Sequence, residues 1–426
     1  MTHKNQSNQH RNNTWPYQLV LWMAALPILA YTLWLAVRYR QFRYLQQRLG
    51  FGYPITPHTA IWLHAASVGE VLAAEPLLKA LRRQYPKLTL VVSTGTPTGA
   101  QMVHQRLGGQ ALHVYLPIDW RGAARRLLNT LHPRCALIME TELWPNLYQA
   151  CARQGIPLLV VNARLSPKTL NTRGWIRALY HRTLQQVTAI LARSPADAEG
   201  FRELGAAPDK VQVLGNIKFS AAQPATGIKP ITLPRAFVLA ASTHEDEELQ
   251  LARLWLALQP RHELLVIAPR HPNRRHGIIK QLDSLSVKLA VRSRNDNVQV
   301  DTQIYLADTL GELTSFMASA ELVVMGGSFV PVGGHNLLEP ARLGKAILFG
   351  PSMHNFTEET DGLLAQQAAL QVDNYEQLGH ELTALLQDHA RRRALEQRAQ
   401  QFMQRNSDVL PRYLSAIKRY CQLPDE

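Results

Sequence analysis

From residue 61 onward the chain alternates between short runs of apolar or β-branched residues and longer stretches with apolar residues at helical spacing. This alternation limits the fold more than any other feature. Runs at 61–63, 88–93, 113–116, 136–139, 158–161, 189–192 and 211–214 read as strands, and segments such as 71–84, 122–131 and 144–154 read as helices between them. Strands that are apolar throughout, instead of at every second position, are buried on both faces, which implies a parallel sheet covered by helices. The rhythm breaks at 220–234, where Pro224, Gly227, Pro230 and Pro234 mark a linker. It resumes with strand-like runs at 237–241, 264–268, 322–325 and 346–349. A chain of 426 residues is long enough for two cores. The expectation is therefore α/β: two Rossmann-like, doubly wound domains at 38–219 and 235–404, facing across a cleft that holds the active site. Residues 388–420 are basic and helical in pattern, and a terminal segment, 405–426, could pack back on the first domain.

The N-terminal part is different. Residues 1–16 are mostly polar and are expected to be disordered, and His3 and His10 there carry little weight as metal ligands. Residues 17–37 form an almost wholly apolar run of bilayer-spanning length, with Trp15, Tyr17, Trp22 and Trp34 toward its ends. Arg38, Arg40, Arg43 and Arg48 follow at once, which places the rest of the chain in the cytoplasm behind a single transmembrane helix. A cleaved signal peptide is the rival, but no small-residue cleavage site precedes the arginines.

Lysine and arginine outnumber acidic residues 46 to 32, a net charge of +14 that calls for an acidic partner. Aromatics make up only 7% and the basic residues are spread along the chain, so the stacking platforms of a nucleic-acid binder are missing. An anionic membrane surface or a phosphorylated substrate fits better. Cys135, Cys151 and Cys421 make no CxxC pair and suggest a reducing compartment.

Several motifs fall where strands end. His64-Ala65-Ala66-Ser67-Val68-Gly69-Glu70 puts a carboxylate at the mouth of the first strand, where it could act as a general base or simply favour the positive end of a helix. Glu140-Thr141-Glu142-Leu143-Trp144-Pro145-Asn146 brings Glu140 to the same sheet edge, and paired carboxylates can push their pKa values apart. Arg164, in 162–166, and Lys218, in 215–219, are cationic candidates there. In the second half, Arg270 leaves a strand between Pro269 and His271 and could grip a phosphate. The glycine-rich run 326–341 could let backbone amides and the helix opening near Leu338 approach an anion, with Glu339 available to a ribose diol. Ser242-Thr243-His244-Glu245-Asp246-Glu247-Glu248 reads as a capped helix start, with Ser242 or Thr243 as cap and no ligand spacing for a metal. Neither a P-loop nor a G-x-S-x-G elbow occurs, which argues against ATP hydrolysis and a serine acyl-enzyme.

Taken together, these motifs resemble the 3-deoxy-D-manno-octulosonic acid (Kdo) transferases of lipid A and lipopolysaccharide core assembly. The resemblance implies a GT-B glycosyltransferase with CMP-Kdo as donor, a lipid A precursor (lipid IVA) as acceptor, and inversion without a covalent intermediate. It implies no cofactor and no obligatory catalytic metal. By position it implies that Glu70 is the base, that Glu140 and Lys218 stabilise the transition state, and that Pro269, Arg270, Leu310, Gly311, Glu312, Asn336, Leu337, Leu338 and Glu339 bind CMP. Location at the inner membrane, against its anionic lipids, goes with it. The chain departs from the pattern at Ser220, where an acidic residue is expected, and in its short linker. Two rivals share parts of this reading: a GT-B enzyme using a UDP-sugar on a lipid or cell-wall acceptor, and a non-catalytic basic protein tethered at a membrane.

Overall fold

The computed structural model describes residues 14–220, 228–258 and 262–424. The expectations for residues 1–13 and for 221–227 of the linker lie outside the described residues. The chain divides into two compact units, one comprising the part up to Ala221 together with the part from Asp408 on, the other Ala222–Ser407.

The first unit is built on seven parallel strands: β1 (Ile61–His64), β2 (Leu90–Thr94), β3 (Leu112–Tyr115), β4 (Cys135–Met139), β5 (Leu158–Ala163), β6 (Ala189–Ala192) and β7 (Val211–Val213). Their order is β3-β2-β1-β4-β5-β6-β7, so the winding reverses between β1 and β4. Side chains alternate between two apolar layers, as the two-residue period of a strand requires. Ile61 and Leu63 join Leu77, Leu81 and Leu137 on one face, and Trp62 joins Leu127, Tyr148 and Phe201 on the other. Both layers are closed to solvent, so truncating Leu63 to Ala would cost about 2–5 kcal/mol.

The terminal helix Val409–Tyr420 lies on the first of these layers, with Val409, Tyr413 and Ile417 buried in it. The Tyr413 hydroxyl donates to the Gly215 carbonyl (3.0 Å), and Cys421 is bonded to Cys135 at the start of β4. At a sequence separation of 286, spacing gave no hint of this pairing. Cys151 is buried and free.

The expected single transmembrane helix takes the form of a bent pair. The apolar run forms two helices, Trp15–Met23 and Ala25–Arg38, bent by 53° at Ala24, and among the described residues no single helix is long and apolar enough to cross a membrane. Pro27 explains the break, because its ring crowds the carbonyl four residues back, at Met23, and it has no N–H to bond there. The first helix is tied to the unit by polar contacts. Tyr17 donates to Asp119 (2.8 Å) and Gln18 to Asn146 (2.7 Å).

The second unit holds seven parallel strands: β8 (Phe237–Thr243), β9 (Leu264–Pro269), β10 (Leu289–Val291), β11 (Ile304–Leu306), β12 (Leu322–Met325), β13 (Ala346–Phe349) and β14 (Leu370–Gln371). They run β10-β11-β9-β8-β12-β13-β14, reversing between β8 and β12. Ser242 and Thr243 do not cap a helix. They extend β8 beside β9, and the helix Glu247–Ala257 starts after Asp246.

Candidate active site

In the first unit the carboxylates gather at the reversal point of the sheet, the place where doubly wound folds hold ligands. Glu70 sits in the first turn of the helix Val68–Gln84, just beyond β1. Ser67 caps that helix by accepting from the Glu70 N–H (3.3 Å), while the Ala66 N–H donates to Glu70 Oε2 (2.8 Å) and the Ser67 hydroxyl to Oε1 (3.2 Å). The helix-end account of Glu70 is thus physically real. Its acidity is nevertheless unusual: burial first, then the charges of Glu142 and Glu140, push the carboxyl up to about 7 against the hydrogen bond from Ala66. A carboxylate near neutrality is well matched to taking a proton from a hydroxyl.

Glu140 follows β4 directly and is buried, with φ at 53°. Its carboxylate meets Arg164 Nε at 2.6 Å, at the end of β5. Glu142 is raised by burial and by Glu140. The segment after β7 is drawn back toward this edge, because the Ile217 N–H donates to Asn162 Oδ1 (3.0 Å). That places Lys218, half-exposed in the short helix Ile217–Ser220, on the same side of the sheet. Beneath the site His64 is fully buried, bonded to Ser93, and pushed down to about 3 by burial. Its role is to join β1 to β2.

In the second unit Pro269, Arg270, Leu310 and Gly311 line one cleft at the strand ends, together with Ser242. Glu312 is drawn aside: Arg292 grips both its oxygens (2.7 and 3.1 Å), and its carboxyl is held below the usual range. In the other strand-end loop, Asn336 Oδ1 accepts from the Leu338 N–H (3.0 Å), and Glu339 accepts from Thr314 (2.6 Å). Leu337 and Leu338 are buried, so only their backbone is available to a ligand. The helix there, Leu338–Arg342, is barely more than one turn and offers little dipole.

Sequence reasoning missed what shapes the glycine loop. Glu247 is wholly buried, and its carboxylate accepts from the N–H groups of Gly327 (2.6 Å), His244 (2.8 Å) and Phe329 (3.0 Å). Amides expected to face a ligand are therefore held by an internal acid. Gly326 must be glycine, since a Cβ there would lie 2.6 Å from the Thr243 backbone. The acidic run 245–248 was the available signal, but its partners lie some eighty residues downstream.

Two seven-stranded parallel sheets, each doubly wound, with chemistry-bearing residues at their strand ends define a protein of the GT-B fold. A solved UDP-GlcNAc 2-epimerase from Neisseria meningitidis bound to UDP-GlcNAc has the same fold (TM-score 0.52, 15% identity, covering 84% of this chain and 100% of that one). Residues 43–221 match the family model described as 3-Deoxy-D-manno-octulosonic-acid transferase (kdotransferase). The 3-deoxy-D-manno-octulosonic acid transferase of Haemophilus influenzae is 34% identical over 90% of this chain and 92% of its own length. That of Bordetella pertussis is 32% identical over 87% and 90%. The chain belongs to the Kdo transferase family and is a glycosyltransferase.

Proposed function

We propose that this enzyme moves Kdo from CMP-Kdo to a hydroxyl of a phosphorylated lipid A precursor, lipid IVA, with Glu70 as general base. The observation that carries the reading is the carboxyl of Glu70, brought near neutrality by burial and by Glu142 and Glu140 at the reversal point of the sheet. Glu70 takes the acceptor proton as the hydroxyl oxygen attacks the anomeric carbon. The bond from that carbon to the phosphate oxygen breaks, and CMP leaves with the electron pair, inverting the centre. Arg270 is suited to offset charge on the leaving phosphate, and in the first unit the Glu140–Arg164 pair fixes the strand ends around the base, with Lys218 as a cation on the same side of that sheet. Glu312, engaged by Arg292, acts through the shape of its loop.

The bent apolar pair Trp15–Met23 and Ala25–Arg38, with Trp22, Leu26 and Val37 strongly exposed and arginines following, supports attachment at the cytoplasmic face of the inner membrane, next to anionic lipids. The test is mass spectrometry of tetra-acylated lipid A precursor incubated with enzyme and CMP-Kdo. Added Kdo in wild type, absent with Glu70→Ala, is the expected result. Turnover by Glu70→Ala at the wild-type rate would remove the base assignment, and thermal stabilisation by UDP but not by CMP would remove the donor.

A further inference from the structure

Three histidines meet at the reversal point of the second sheet. His244 follows β8, His271 follows β9, and His335 comes from the glycine loop after β12. The Nε2 atoms of His244 and His335 lie 2.9 Å apart with the rings nearly parallel, and His271 meets His244 edge-on at 5.7 Å between centroids. The 2.9 Å contact requires one ring to donate and the other to accept. Glu247 fixes both ends of this pair, bonding the His244 N–H and, through Gly327 and Phe329, the loop that carries His335.

The surroundings are cationic. Burial lowers His335 to about 4 with the help of His244, Arg270 and His271, and burial lowers His244 with the help of His271, Arg274 and Arg270. The charges that shift these two rings are those of Arg270 and Arg274 and of the neighbouring imidazoles, while Glu247 meets only the His244 backbone N–H. The three imidazoles do not form a metal-holding group among the described residues. The ring of the pair that accepts keeps an N–H at Nδ1 and His271 brings its own, so the group offers ring N–H donors beside Arg270 and Arg274, partly shielded from water, which suits an anion.

We propose that His244, His335 and His271 bind the carboxylate of the donor sugar. This rests on the donor reading given above. An ulosonic acid carries its carboxylate on the anomeric carbon, so a donor whose nucleotide lies along the Pro269, Arg270 and Leu310 cleft has a second anion one carbon from the phosphate. His244 and His335 lie one strand along from that cleft, after the paired strands β8 and β12, His271 stands between its lining residues Arg270 and Pro272, and Arg270 acts on both histidines as well. The phosphate thus falls to Arg270 and the carboxylate to the imidazoles. A neutral hexose lacks that anion, so the cluster selects for the acidic sugar.

The test compares two ligands on the full-length enzyme: CMP, which carries only the phosphate, and CMP-Kdo, which carries both anions. His335→Gln and His244→Gln are each expected to weaken CMP-Kdo binding about ten- to hundredfold, while CMP affinity stays within about twofold. His271→Gln, an exposed position whose replacement spares the fold, should weaken CMP-Kdo in the same selective way. Equal losses for CMP and CMP-Kdo would assign the cluster to the phosphate and overturn the proposal, as would unchanged affinity for both. Wild-type enzyme that binds CMP but gains nothing from the Kdo moiety would overturn it too, whereas wild type that binds neither ligand would sink the donor reading and the proposal with it.

Discussion

Replacing Glu70 by glutamine should abolish transfer and yet stabilise the first unit, and the two effects have one cause. The carboxyl titrates at about 7 in the folded protein against 4.5 ordinarily. Between those values the folded state keeps a proton that the unfolded chain has released, so stability falls as pH rises through that window and stays low above it. At about 1.4 kcal/mol per pH unit the gap sets a ceiling of about 3.4 kcal/mol, which solvent at this half-exposed group reduces to about 1–2 kcal/mol. Glutamine keeps an oxygen to accept from Ala66 and carries no charge to desolvate. Urea unfolding of wild type and Glu70→Gln near the low end of the window and at about pH 8 should therefore show the variant gaining about 1–2 kcal/mol between the two conditions, while turnover drops by about 10²–10⁴. The difference between pH values cancels any constant cost of the weaker hydrogen bond. A variant destabilised equally at both pH values would show that Glu70 is only a helix cap, with no strain held in reserve for the reaction.

Other perturbations separate the remaining roles. Glu142→Gln removes a charge that raises Glu70, so the acidic limb of the kcat/KM profile should move to lower pH; an unmoved limb would uncouple the two acids. Arg270→Ala should weaken CMP by about tenfold, the worth of one charge-assisted contact, while Glu70→Ala leaves CMP affinity intact, both read by calorimetry. Glu247→Ala strands two amides of the glycine loop and that of His244 at about 1–3 kcal/mol each, and should lower the melting temperature and CMP affinity together; a loss of stability without loss of CMP affinity would free the loop from any part in binding. Trp22→Asp with Leu26→Asp should release the enzyme from anionic vesicles in a flotation assay, and persistence on the vesicles would move attachment elsewhere.

The sequence disclosed the parts of this molecule that are set by local burial. Strands buried on both faces announce themselves as apolar runs, which is why β1, β6, β12 and β13 could be placed to within a residue or so. The short β10, β11 and β14 carry too few residues for a period to stand out. Pro27 was visible as a residue, but its effect depends on where the helix starts, so a run long enough to cross a bilayer was read as one helix. What stayed hidden was long-range: Cys135 with Cys421, His244 with His335, and Glu247 with the amides of the glycine loop. Each pairs residues that only the winding of a sheet brings together. The same winding explains why the candidate positions were legible while their roles were not. Glu140, Asn162 and Ser242 all end or follow strands with φ above 50°, a conformation that non-glycine residues adopt at a cost. All three lie where a strand hands over to a loop at the C-terminal edge of its sheet, so both units hold strain at the edge where the candidate site residues stand. A motif shows which residues stand there; the bulges that turn Asn162 and Ser242 are decided by the neighbouring strands.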